Sequence, residues 1–296
     1  MLINNKELAE EKVLLLITDI KKKKELNSIS DDFVKNQLET YLQKNPKALS
    51  SLIKGLNKKS SEYKRIVKEM RALLRRVYGL FRPEGSKERE YLIKELSNKK
   101  DQLNIIIKIL ETHSSTKERL PLYSELYKKI FEITGKPEIL ADFGSGINPF
   151  SYPFMKLTKL KYYAYDINLE EVNALNTFFQ QMKKENKNFN GKAEVLDLLK
   201  LRGAGELKKP ALKKADLAFL FKITDVLDQG KGHKVTEEVI RNIPARFIVV
   251  SFPTKTMSGK KMNFPRRKWI ELMCERLGYK FKILEFSNEI FYVIKM

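Results

Sequence analysis

The stretch "ILADFGSGINPF", residues 139–150, decides how the rest of the chain is read. Apolar and small residues lead to an acid, Asp142, and then at once to Gly144-Ser145-Gly146. A lone glycine turn after a strand is more often structural than functional. The same turn, however, lets a ligand approach the backbone closely. What lies on either side distinguishes the two.

From about residue 137 the rhythm is strand, helix, strand. The segments "EILADF" (138–143), "LKYYAYDI" (160–167), "KAEVLDL" (192–198), "ADLAFLFK" (215–222) and "RFIVVSF" (246–252) are short, apolar and rich in β-branched or aromatic residues. Helical stretches separate them, which predicts a parallel sheet covered on both faces. The end differs: "YKFKILEFSNEIFYVIKM" (279–296) reads as two strands joined by a tight turn at Ser287-Asn288. A five-stranded parallel sheet finished by a hairpin is an α/β layout, that of the Rossmann-like class I S-adenosylmethionine-dependent methyltransferases. A doubly wound nucleotide enzyme more often continues with another βα unit.

Residues 1–112 read as an all-α domain, which places the boundaries at 1–112 and 113–296. "KELAEEKVLLLITDIKKKKEL" carries Leu8, Val13, Leu14, Leu15, Ile17 and Ile20 mainly on one helical face. "SEYKRIVKEMRALLRRVYGLF" does the same with Tyr63, Ile66, Val67, Met70, Leu73, Leu74 and Val77.

Charge is the loudest feature of the composition. Across 296 residues, 58 Lys and Arg face 37 Asp and Glu, a formal net charge of +21. Thermophile proteins can be Lys-rich with acids rising in step, but here the bases outrun the acids, and such an excess favours a polyanionic partner. Residues 51–100 hold fifteen basic and six acidic side chains, and Arg71, Arg75 and Arg76 recur about a turn apart, a spacing suited to a phosphate backbone. A solvated helix face is the plain alternative, although such faces usually mix their signs. The single cysteine, Cys274, excludes an internal disulfide, and with only His113 and His233 a histidine metal cluster is not expected. No apolar run approaches the ~20 residues that span a bilayer, and the N-terminal apolar stretch carries acids unlike a signal peptide. A cytosolic monomer, with no membrane or metal partner, is the simplest expectation.

In doubly wound sheets ligands sit at the carboxyl ends of the strands. Strand one ends in Asp142 before the glycine turn, strand two in Asp166 and strand three in Asp197. An acid at the second position is placed to accept hydrogen bonds from ribose hydroxyls. One after the third strand suits an adenine amino group. Pro149 stands where a dinucleotide fingerprint would have its third glycine, and no Gly-Lys-Ser/Thr of a P-loop occurs. An adenosine without phosphates, as in S-adenosylmethionine, fits these acids better than either.

The chain also resembles a known family, the aminoglycoside-resistance 16S rRNA (guanine-N7) methyltransferases. Matching segments occur in order: "HSSTKERL" (113–120), "DFGSGINP" (142–149), "YDI" (165–167), "LFKITDVLD" (220–228), "VVSFPTKTMSGKK" (249–261) and the terminal "NEIFYVIKM". The resemblance covers about residues 110–296. It implies that Arg119 binds the methionine carboxylate of S-adenosylmethionine, which suits an arginine fork, although an exposed helix arginine is the plain alternative. Ser115-x-x-Glu118 would cap that segment as a capping box. The resemblance further implies that Asp142, Gly144, Ser145 and Gly146 form the cofactor floor. Asp166 would hold the ribose and Asp197 the adenine, with Ile167, Leu198 and Phe221 in the same pocket. Lys222 and Asp228 would stand beside the target base, and Lys255, Lys260, Lys261 and Arg267 would grip RNA phosphates. Phe252 and Phe264 are candidates for stacking on a displaced base, though most aromatics at strand ends are core. Ser145 replaces a common cysteine of the relatives, Asp225 an apolar residue or proline, and Pro121 interrupts any helix running through "STKERL".

Guanine N7 offers a lone pair and has no proton to lose, so methyl transfer to it needs approach geometry and exclusion of water rather than a general base. The expected activity is therefore S-adenosylmethionine-dependent methylation of a guanosine N7 in structured RNA, 16S rRNA by family precedent. The Lys-rich, Cys-poor composition suggests a thermophile or archaeon, where housekeeping methylation of tRNA is the competing expectation. A non-catalytic RNA-binding protein would have had no need to keep Asp142, Asp166 and Asp197. A small-molecule methyltransferase would have had no need for the +21 charge.

Overall fold

Apolar runs that alternate between two buried faces build the centre of the molecule. In the computed structural model, which describes residues 1–78, 86–96, 101–201, 213–228, 232–256 and 259–296, the chain forms two compact units. One comprises Met1–Arg82 with Ile167–Leu169, the other Pro83–Asp166 with Glu170–Met296. Among the described residues no helix is long and apolar enough to cross a membrane.

The first unit opens with a short ladder pairing Leu2–Ile3 with Lys6–Glu7, a detail the all-helical reading of this region did not include. Helices α1 (Glu10–Lys21), α2 (Asp31–Lys44), α3 (Pro46–Lys54) and α4 (Ser61–Tyr78) follow. Their starts are written locally. The Ser30 hydroxyl accepts from the Phe33 N–H at 3.2 Å, Pro46 stands in the first turn of α3, and the Ser60 hydroxyl accepts from the Tyr63 N–H at 3.2 Å. Val13, Leu16, Ile17 and Ile20 of α1 are buried, whereas Leu14 and Leu15, expected on the same face, are exposed. The 3.6-residue period turns those two outward.

In the second unit α5 (Ser86–Glu95) and α6 (Gln102–Glu111) lie ahead of α7 (Ser114–Arg119) and α8 (Tyr123–Thr134). Leu92, Leu96, Ile106, Ile109 and Leu110 share one core with the sheet. The contacts therefore divide the chain earlier than residue 112, because these two helices bury their apolar stripes against the sheet's own core.

The sheet strands are β1 (Ile139–Phe143), β2 (Leu160–Asp166), β3 (Phe189–Val195), β4 (Ala215–Phe221), β5 (Ala245–Pro253), β6 (Lys280–Glu285) and β7 (Glu289–Lys295). Their order is β3-β2-β1-β4-β5-β7-β6, with the first five parallel and β7 antiparallel to both neighbours. This is the Rossmann-like class I methyltransferase topology. Helices α9 (Leu169–Glu185), α10 (Thr224–Asp228), α11 (Lys234–Asn242) and α12 (Lys268–Leu277) fill the connections. Leu217, Phe219 and Phe221 enter one core while Ala218 and Leu220 enter the other, and Phe247 and Val249 alternate likewise with Ile248 and Val250. Two buried faces make both positions apolar.

The third strand begins three residues before the expected start at 192 and ends before 196–198. Phe189 packs against Tyr152 and Phe179, so pairing starts there, opposite Leu160. Gly191, which interrupted the apolar pattern, is required by packing. A Cβ on it would meet Phe179 Cγ at 2.3 Å. Gly191→Ala should therefore lower stability by about 1–3 kcal/mol through overpacking, read as a reduced midpoint in urea denaturation with the m-value unchanged.

Candidate functional site

Two of the acids anticipated at the strand ends, Asp142 and Asp166, adjoin the glycine turn after β1. Gly144 (φ +64°) and Gly146 (φ +48°) both occupy the left-handed region, where side-chain-bearing residues are strained. The N–H groups of Gly144 and Ser145 donate to the Tyr165 carbonyl at 2.8 and 3.0 Å. The Gly146 N–H donates to Asp166 Oδ2 at 2.8 Å. Asp142 is buried and accepts from Asn148 Nδ2 (2.8 Å) and the Tyr162 hydroxyl (2.9 Å). Burial pushes its carboxyl up to about 7 despite these bonds. Asp197 Oδ1 accepts from the Leu199 N–H at 2.9 Å, and Leu198 beside it is buried. Ile167 falls in the short segment assigned to the first unit.

A buried cluster is built around Arg119. Its guanidinium is 1% exposed and grips Glu289, which is fully buried, through Nη2 to Oε1 at 2.9 Å and Nε to Oε2 at 3.1 Å. Nη1 donates to Asn148 Oδ1 at 3.0 Å, and the cation lies 4.7 Å from the centre of the Phe221 ring. Burial alone would pull the arginine pKa down, but the Glu289 carboxylate outweighs it and holds the pKa above its ordinary value. The Ser251 hydroxyl donates to the same carboxylate. Lys222 completes the group, with Nζ 2.6 Å from Glu118 and 3.5 Å from Glu289. Lys222 has φ +52°, unusual for a lysine, and its N–H donates to Ser251 Oγ at 3.1 Å.

Sequence reading missed Glu289 and Asn148, and gave Glu118 only a capping role. The available signal was a carboxylate heading the apolar run "EIFYVI". Because β7 runs antiparallel to β5, its first residue pairs with Pro253, at the carboxyl end of β5. The expected capping box is not formed. His113 precedes α7, Ser115 bonds the His113 ring, and the Glu118 carboxylate goes to Lys222 instead. Pro121 is accommodated in a 3₁₀ turn, Leu120–Leu122, between α7 and α8.

The structure places other anticipated residues elsewhere. Asp228 is buried and accepts from the Thr236 N–H (3.0 Å) and hydroxyl (2.8 Å), tying α10 to the start of α11. Phe252 is 1% exposed and packs edge-on against Trp269 and Tyr292, so it is core and cannot stack on a base. Phe264, at 86% exposure, is open. Lys255 and Lys261 face each other in an isolated antiparallel bridge, and the exposed Lys260 lies in the same loop. Arg267 is turned inward, donating to the Pro265 carbonyl at 2.7 Å and lying over Phe252. In the first unit Arg71 donates to the carbonyls of Asp19 and Ile20 at the end of α1, and Arg75 pairs with Glu25. Both nevertheless border a concavity of about 520 Å³ with Lys22, Lys23, Lys64 and Lys68. The Arg76 side chain lies outside the described residues.

The donor set suits an uncharged nucleoside. Acceptors stand at the end of β2 and just after β3, and a Cβ on Gly146 would meet Glu171 Oε2 at 3.7 Å and His113 Nε2 at 3.9 Å, in ordinary contact. A turn held at positive φ, with the Asp166 carboxylate bonded to its N–H, is an arrangement that S-adenosylmethionine fits.

Comparison with known proteins agrees. The ribosomal RNA methyltransferase (FmrO) family model matches residues 41–293. A 16S rRNA (guanine(1405)-N(7))-methyltransferase of Proteus mirabilis is 27% identical over 252 residues, covering 78% of this chain and 84% of its own length. One of the same name from Micromonospora echinospora is 28% identical over 243 residues, covering 77% and 82%. The crystal structure of the 16S rRNA methyltransferase RmtF with S-adenosyl-L-homocysteine superposes with a TM-score of 0.72 at 22% identity, over 97% of this chain and 99% of that one.

Two outcomes follow from the site. Glu289→Ala should cost about 3–5 kcal/mol in chemical denaturation, because it strands a buried arginine. Asp142 holds its proton when folded up to about pH 7, against about 4 unfolded. Its contribution to stability is thus full below about pH 4 and is lost as pH rises through about 7. Asp142→Asn should remove that slope, and denaturation measured at several pH values checks it.

Proposed function

The chain belongs to the FmrO ribosomal RNA methyltransferase family, and from that premise we propose that it transfers the methyl group of S-adenosylmethionine to N7 of a guanosine in 16S rRNA. The observation that carries the reading is the left-handed glycine turn with Asp166 bonded to it and Asp197 beyond. The curated relatives are named for this activity and align over most of their length.

Bound at the turn, S-adenosylmethionine supplies a methyl group already activated by its sulfonium charge. Asp166 accepts from the ribose and Asp197 from the adenine amino group. Arg119 uses three of its five N–H groups within the fold, and we assign the remaining two to the methionine carboxylate. Phe221 and Leu198 exclude water from the cofactor's apolar surfaces. Guanine N7 presents an in-plane lone pair with no proton attached, so no residue need act as a base. The work of the chain is alignment. Lys222, held at positive φ at the top of β4, is placed to meet guanine O6 or a neighbouring phosphate. Lys255, Lys260 and Lys261 hold RNA phosphates, with the exposed Phe264 among them as a stacking surface. The basic concavity bordered by Arg71 and Arg75 provides a further phosphate contact. Such an enzyme works where ribosomes are, in the cytosol, as a monomer without a metal.

The test is label transfer from tritiated S-adenosylmethionine to 30S subunits, naked 16S rRNA and total tRNA in separate reactions, with Asp166→Ala as control. The expected result is labelled 7-methylguanosine in 16S rRNA, lost in the variant together with cofactor binding. Label in tRNA alone would keep the chemistry and overturn the substrate. Cofactor binding without transfer to any RNA would overturn the N7 assignment.

A further inference from the structure

His113 lies against the glycine turn, and neither the strand-end pattern nor the family resemblance gives it a role. A Cβ built on Gly146 would lie 3.9 Å from His113 Nε2 and 3.7 Å from Glu171 Oε2. An imidazole nitrogen and a carboxylate oxygen thus stand in contact distance of the turn at Gly146. His113 is only 6% exposed. Burial, and then the nearby charges of Arg89, Arg119 and Lys222, bring its pKa down to about 3, so the ring is neutral under ordinary conditions.

A neutral imidazole carries one N–H, and its other nitrogen accepts. The Ser115 hydroxyl lies 2.9 Å from Nδ1. With that hydroxyl donating, the ring proton sits on Nε2, the nitrogen that faces the turn. The position of the ring is fixed from behind. Arg89, itself buried, donates from Nε to Thr112 Oγ1 at 3.0 Å and from Nη1 to Glu171 Oε1 at 3.1 Å. It thereby ties the residue before His113 to the first turn of α9.

Gly146 therefore has an acceptor, the Asp166 carboxylate bonded to its N–H, and near its Cα the His113 Nε2 together with the Glu171 carboxylate. A ribose hydroxyl needs an acceptor and a donor, because it gives one proton and can take another. We propose that His113 contacts the ribose of the bound cofactor, its Nε2–H donating to a hydroxyl oxygen whose partner hydroxyl donates to Asp166. A neutral donor also suits a cationic cofactor, since an imidazolium here would repel the sulfonium.

The inference rests on the cofactor reading above, and calorimetry separates the two. Titration of the wild-type chain with S-adenosylhomocysteine tests the site. No binding at all would count against the cofactor reading itself. With binding established, His113→Phe keeps the ring volume and loses the donor, and its Kd should rise about three- to tenfold. His113→Gln, which carries an amide N–H near the Nε2 position, should recover part of that loss. The discriminating probes are the 2′-deoxy and 3′-deoxy forms of S-adenosylhomocysteine. For the form missing the contacted hydroxyl, wild type and His113→Phe should bind alike. Equal affinity of wild type and His113→Phe for S-adenosylhomocysteine would overturn the proposal. So would a loss of the same size with every analogue, which would make the histidine a packing residue. Unchanged denaturation midpoints for both variants confirm that the comparison is made on folded protein.

Discussion

The buried pair of Arg119 and Glu289 is the constraint on which the site depends. Removing two charges from water costs several kcal/mol each, and the attraction between them offsets this only when geometry is good and the remaining hydrogen-bonding capacity is filled. Here it is filled. The carboxylate receives a fork from Arg119 and the Ser251 hydroxyl, and the guanidinium also meets Asn148 and the Phe221 ring. This explains the terminal hairpin in functional terms. A sixth parallel strand would bring its carboxyl end, not its first residue, to the ligand-binding edge. An antiparallel β7 delivers Glu289 there while still contributing Phe291 and Val293 to one core and Ile290 and Tyr292 to the other.

The pair also recruits its surroundings. Lys222 shares Glu289 with Arg119 and takes Glu118 as a second partner, so the two cations at the mouth of the central strands are matched by two carboxylates. The same α7 segment that carries Arg119 and Glu118 begins at His113, on the other side of which Gly146 and Asp166 lie. One short helix thus links the cation cluster to the glycine turn. Glu171, beside that turn, is pushed up to about 7 by burial and the neighbouring Asp166, with Arg89 opposing. The acids around the turn are held by the protein interior rather than by solvent.

Much of this was legible in the amino-acid order. Two-faced burial makes β1, β4 and β5 nearly continuous apolar runs, and an acid at the end of such a run stands out, as Asp142 and Asp166 did. What escaped reading has identifiable causes. Leu14 and Leu15 look like core because apolar residues crowd that helix, yet only Val13, Leu16, Ile17 and Ile20 share the inward face. The division between units lies ahead of α5 because a helix's partner is a tertiary fact, invisible in its own periodicity. Phe252 seemed available at a strand end, but strand parity points it into the core with Ile248 and Val250. Asp228, expected beside the target base, accepts from Thr236 where α10 runs into α11, and its Oδ2 lies 3.3 Å from His233 Nδ1. Glu289 was hidden because pairing across antiparallel strands brings together residues that chain distance separates.

The composition of the site matches the charge bookkeeping of N7 methylation. The transfer moves one positive charge from sulfur to a purine ring and creates none, and no proton changes hands. A site for such a reaction gains nothing from a group that titrates during turnover. It gains from charges whose positions are fixed beforehand, since preorganised dipoles need no reorganisation as charge shifts. Arg119, Lys222, Glu118 and Glu289 have that character, each cation held by a carboxylate and the central pair closed to water. His113 fits the same pattern, because burial and the neighbouring Arg89, Arg119 and Lys222 keep its ring neutral. Because no proton has to move, the contribution of the fold to such a chemistry is to place these charged groups rigidly.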